Sequence, residues 1–144
     1  MSGMVVSATT SSISVKREAD VFLEKAEALV VAAEREWAEG NLNDALEFGY
    51  QAALRLAGSR VVAKKEGKKS RRCSGVTAWE RFASVDALGA DQAATFSGFS
   101  GVRSRVLNRI ESEASEDTVR ALLSAVRNFL DVVERERGWL SPAA

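Results

Sequence analysis

The chemistry open to this sequence is set by its cations and by one absent side chain. Lys64, Lys65, Lys68, Lys69, Arg71 and Arg72 fall within the run KKEGKKSRR, which holds one acid. Cations packed this closely attract phosphate oxygens, and each phosphate bound adds a salt-dependent increment to affinity. The same run also suits a solvated connector, because no aromatic is interleaved to stack on bases. Arg103, Arg105 and Arg109 form a second basic group. On a helix Arg103 and Arg105 point different ways, whereas Arg105 and Arg109 share a face. Pairing with a glutamate of a neighbouring helix competes with phosphate binding there. The chain has no histidine, which removes imidazole acid–base chemistry near neutral pH.

Other reactive groups lead less far. Cys73 lies among cations that favour its thiolate, but no histidine can serve as its base. No Ser-His-Asp set and no phosphate-binding loop of the G-x-x-x-x-G-K-[ST] type is present. Glu111, Glu113, Glu116 and Asp117 cluster at a helix junction, where capping and a solvated turn explain them better than a metal. One cysteine and no histidine argue against zinc, and no cofactor is expected.

The 144 residues are enough for one domain with one core. Net charge is zero, but six of the 20 basic residues and one of the 20 acids lie in Lys64–Arg72. That run carries +5 and the rest of the chain −5, so an electrostatic partner would be recognised locally. A single cysteine fits a reducing compartment. No signal-peptide pattern and no membrane-spanning run is visible, so a cytoplasmic location and no membrane partner are expected.

The elements that must position these residues are helices. Residues 1–15 are rich in Ser and Thr and lack a helical period, which predicts a mobile tail. The domain proper is expected over residues 16–140, with 141–144 a short tail. Phe22, Ala26, Leu29, Val30, Ala33 and Trp37 make one stripe of a first helix, ended by Gly40. Asn41 is placed to cap a second helix that runs on toward Ala63. After the basic loop, Thr77 and Glu80 have capping-box spacing, which opens a short helix through Val85. A break is expected around Gly89. The next helix carries Phe96, Phe99, Val102, Val106 and Ile110, with Gly98 and Gly101 small enough to admit another backbone. The last helix starts at Ser115, carries an unbroken stripe from Val119 to Val133, and stops at Gly138. The predicted fold is all-α, a bundle of about five helices led by a long antiparallel hairpin. Its expected core is Phe22, Leu29, Trp37, Leu46, Leu56, Trp79, Phe82, Phe96, Phe99, Leu107, Leu122, Val126, Phe129 and Leu130.

Four segments together resemble the HEPN domain. They are ALEFGYQAALRLAGSRVVAKK, the basic loop into TAWERFASV, ATFSGFSGVRSRVL, and LLSAVRNFLDVVERERGWL. The resemblance is to a small stand-alone bacterial branch in which an Arg-rich loop precedes an AWE helix, and it spans roughly residues 18–140. It implies a helical bundle that often dimerises. Many HEPN proteins are metal-independent ribonucleases that use an Arg, a polar residue, three residues, then a His. Here Arg103-Ser104 is followed by Asn108 at that place, and Arg127-Asn128 by Val132. No catalytic role is therefore carried over to any residue.

The resulting reading is a non-catalytic HEPN-like domain, a homodimer, that binds RNA or DNA, a nucleotide, or a nucleotidyltransferase-type protein. Its candidate contacts are Lys64, Lys65, Lys68, Lys69, Arg71, Arg72, Arg103, Arg105 and Arg109. The alternatives are a helical interaction protein and a ribonuclease with a degenerate site centred on Arg103 and Asn108.

Overall fold

A computed structural model describes residues 3–64, 77–109 and 113–139, with side chains from residue 13 onward. It is a bundle of five helices: α1 Gly3–Ala38, α2 Leu42–Lys64, α3 Ala78–Ala83, α4 Ala87–Leu107 and α5 Glu116–Glu136. No strand occurs among the described residues. Nor is any helix long and apolar enough to cross a membrane there.

The first helix begins at Gly3, not at residue 16. Nucleating a helix is the costly step, and each further residue adds a hydrogen bond cheaply. Once α1 is held against α2, extension toward the N-terminus needs no apolar stripe of its own. The α1–α2 hairpin turns at Gly40, whose φ of +82° lies in the left-handed region that glycine tolerates best. Asn41 does not cap α2 with its side chain as expected. Its amide donates to the Glu36 carboxylate at 2.7 Å. The neighbouring Asn43 side chain instead accepts the Ala114 N–H at 2.9 Å, tying the hairpin turn to the approach of α5.

Four aromatic rings on α3, α4 and α5 hold the centre. Phe129 stacks on Phe82 at 5.5 Å and on Phe96 at 5.4 Å between centroids, and Phe96 stacks on Trp79 at 5.6 Å. Tyr50 of α2 meets Trp79 edge-on and its hydroxyl accepts the indole N–H at 2.8 Å. This satisfies the one polar atom a buried tryptophan brings. Leu46, Leu56, Leu122, Val126 and Leu130 are buried as expected, and so are Leu23, Val30, Val119 and Val133. Leu29, Trp37 and Phe99 are only partly buried. Leu107 is 57% exposed, because α4 ends there and leaves the packed region.

The junction of α3 and α4 differs from its expected form. Thr77 does accept the Glu80 N–H, at 3.1 Å. The break then comes at Ser84–Asp86, ahead of Gly89. Asp86 is the N-cap of α4 and accepts the Gly89 N–H at 2.7 Å. A Cβ on Gly89 would stand 2.6 Å from the Phe82 carbonyl oxygen. Glycine is required because α3 crosses the first turn of α4 closely, not because the chain breaks.

Close helix approach also falls elsewhere than at Gly98 and Gly101. A Cβ at Gly49 would lie 3.0 Å from Leu123 of α5, and one at Gly58 would lie 3.2 Å from the Phe22 ring of α1. At Gly98 nothing lies within 4 Å, and at Gly101 the nearest group is the Arg105 guanidinium at 3.4 Å. Mid-helix glycine costs roughly 0.5–1 kcal/mol relative to alanine, and within one copy neither residue returns that cost. The last helix follows its sequence signals. Ser115 caps it by accepting the Thr118 N–H at 3.1 Å, and Gly138 ends it with φ +76°.

Candidate nucleic-acid interface

The basic candidates divide into three groups. Lys64 is the last residue of α2 and is exposed. Lys65, Lys68, Lys69, Arg71 and Arg72 lie outside the described residues. The third group is on α4 and just after it, and its members do different things.

Arg103 faces inward. Its Nε and Nη2 donate to the two oxygens of Glu47 on α2, both at 2.7 Å. Its guanidinium also lies over the Tyr50 ring, 4.9 Å from the centroid. Gln51 donates to the same Glu47 carboxylate at 2.8 Å. The Arg103 hydrogen bonds hold the Glu47 carboxyl below its usual range, although burial pushes the other way. The expected pairing with a glutamate of a neighbouring helix is thus present for Arg103. Arg105 is exposed on the opposite side of α4, with its guanidinium near Gly101. Arg109 lies beyond the end of α4 with φ +59°, so it does not share a helical face with Arg105.

The two degenerate motifs serve the fold. Asn108 is the C-cap of α4 and its amide donates to the Ser104 hydroxyl at 3.2 Å. Arg127 pairs with Glu34 of α1. Of the clustered acids, Glu116 and Asp117 occupy the first turn of α5 and pair with Arg120 at 3.0 and 3.2 Å. Glu111 lies outside the described residues.

Arg60 is a functional-looking residue that the sequence pattern alone does not single out. It is 4% exposed, and its guanidinium binds Asp86 at the head of α4 and Glu136 at the end of α5, each through two hydrogen bonds of 2.8–2.9 Å. The Arg60 pairing, reinforced by the Gly89 N–H, pulls the Asp86 carboxyl down to about 2. One signal does point to it. Ala53, Leu56 and Arg60 follow one another at helical spacing, so a cation stands where the buried stripe of α2 predicts an apolar residue.

A surface cleft of about 610 Å³ lies between α3 and α4. Tyr50, Leu54, Trp79 and Ala93 contribute to its walls, and Glu80 is the one charged residue lining it among those described.

Residues 37–134 match the SAV_6107-like HEPN family. The chain belongs to that family. The matched region of this HEPN domain runs from the end of α1 through most of α5, so it contains the aromatic centre, Arg60 with Asp86, and the Arg103–Glu47 pair. No curated protein and no solved structure matches the chain. The five-helix architecture and the family both agree with the expectation from sequence. The HEPN ribonuclease pattern described above remains without its histidine, since none exists anywhere in the chain.

Proposed function

We propose that this HEPN domain is non-catalytic and binds nucleic acid through Lys64, Lys65, Lys68, Lys69, Arg71 and Arg72, with Arg105 and Arg109, toward the opposite end of α4 from Lys64, as separate contacts. The observation that carries the reading is the state of Arg103. Its planar fork is spent on Glu47 and its face on Tyr50, so the arginine heading the motif-like stretch holds α4 against α2. Asn108, in the place of the histidine, caps a helix and has no proton to exchange near neutral pH. The basic run supports the binding half of the proposal, because it is a dense +5 segment in a chain otherwise at −5.

Fluorescence anisotropy with labelled single- and double-stranded RNA and DNA over a salt series tests this. Replacing the six cations of the run by Gln should weaken binding. It should also flatten the slope of log affinity against log salt by about 0.7–0.9 for each phosphate no longer bound. Thermal stability should move little. In parallel, prolonged incubation with RNA should leave it intact, and Arg103→Ala should not change that outcome. Unchanged affinity and slope in the six-fold variant would rule out the basic run as the binding site. RNA cleavage that Arg103→Ala abolishes would rule out the non-catalytic reading.

A further inference from the structure

The geometry points to the cleft between α3 and α4 as a binding site for a small organic cation, an ammonium group carried on an aromatic body. This goes beyond the nucleic-acid reading and does not rest on it. The cleft measures about 610 Å³, a volume within the range of small-molecule sites. Small side chains create it. Ala90, Ala93, Ala94, Ser97 and Ser100 share one face of α4 by their spacing, and all five line the cleft together with Ala83 of α3. Tyr50, Leu54 and Trp79 add apolar surface that an aromatic ring would cover.

Charge and hydrogen bonding select the occupant. The Glu80 carboxylate lines the cleft and has no partner among the described residues. Ser97 and Ser100 donate their hydroxyl protons to the Ala94 and Ser97 carbonyls, at 3.3 and 2.7 Å, so their oxygens remain as acceptors. Arg103, one turn beyond Ser100, is already neutralised by Glu47. An ammonium group brings three N–H donors and the complementary charge to these acceptors. Tyr50 is a second, independent sign of a ligand. It is 5% exposed and lines the cleft, its hydroxyl accepts the Trp79 indole N–H, and its own proton has no acceptor among the described residues. A buried donor of this kind normally has a partner, and the face of an aromatic ring supplies one.

Titration of the full chain with benzylamine, followed by amide chemical shifts, tests the site. The expected result is saturable shifts confined to α3, the facing part of α4 and Tyr50, with a Kd of about 1 mM for a probe of this size. Benzyl alcohol, which keeps the ring and loses the charge, should bind about tenfold more weakly or less. Glu80→Gln should raise the benzylamine Kd about tenfold, and Ala94→Leu should abolish binding by filling the cleft. Both positions are exposed, so circular dichroism should show both variants folded. The absence of saturable shifts at the cleft overturns the proposal. So does equal affinity for benzyl alcohol, or an unchanged benzylamine Kd in folded Glu80→Gln.

Discussion

Arg103 of α4 and Glu47 of α2 meet through two hydrogen bonds of 2.7 Å, and the Tyr50 ring backs the guanidinium. Their side chains are 31% and 25% exposed, so the pair is partly shielded from water. A shielded two-point pair with an aromatic backing exceeds an ordinary surface ion pair. A double-mutant cycle of Arg103→Ala and Glu47→Ala, read by urea denaturation, should return a coupling of about 1–2 kcal/mol. Arg103→Lys should not rescue it, because an ammonium cannot make the fork. A coupling near zero would return Arg103 to the pool of cations available for ligand.

Phe129 has no exposed surface and stacks on two rings. Phe129→Ala removes the ring that joins α5 to both α3 and α4. The expected loss is about 3–5 kcal/mol, the range for truncating a buried phenylalanine. Chemical denaturation measures it. A loss under about 1 kcal/mol would mean that the aromatic centre closes over the cavity or is not the core.

Gly89→Ala should destabilise the domain by roughly 1–3 kcal/mol, the usual cost of overpacking. The added methyl meets a backbone oxygen of α3 at 2.6 Å, and a backbone atom cannot rotate away as a side chain would. Gly98→Ala is the control, since nothing lies within 4 Å of its Cβ. Its helix should gain roughly 0.5–1 kcal/mol, the usual difference between glycine and alanine inside a helix. Melting temperatures should therefore move in opposite directions.

Glu134 and Asp86 act on the pH response with opposite signs. Glu134 on α5 is pushed up to about 7, first by burial and then by its hydrogen bond to Glu27 of α1, the Glu27 charge and the nearby Asp131, with Arg127 opposing. Its folded-state value exceeds its unfolded one, so the native state holds the extra proton. Its contribution therefore declines as pH rises from about 4.5 to about 7. Glu134→Gln should flatten that decline. Asp86 is held down to about 2 by Arg60 and the Gly89 N–H. Its contribution is present above its ordinary value of 3.8 and is lost as pH falls toward 2. Asp86→Asn should remove that acid-side loss and lower stability at pH 7. Thermal melts at half-unit pH intervals read both limbs.

Local order was legible in the residue pattern. Ser115, the stripe from Val119 to Val133 and Gly138 define α5 within one or two residues of its observed ends, because capping and helical periodicity act over a few residues. The helical class, the hairpin at Gly40, the family resemblance and the absence of histidine were available at the same level. What tertiary structure decided was which side chain meets which. Arg103 finds Glu47 across 56 residues of chain, and Arg60 finds Glu136 across 76. Gly89 is needed for a carbonyl on another helix, while Gly98 meets nothing in its own copy. Spacing along a helix fixes the face a residue occupies, but not the residue that arrives opposite it. That depends on how the helices cross, which is settled by packing among distant segments of the chain.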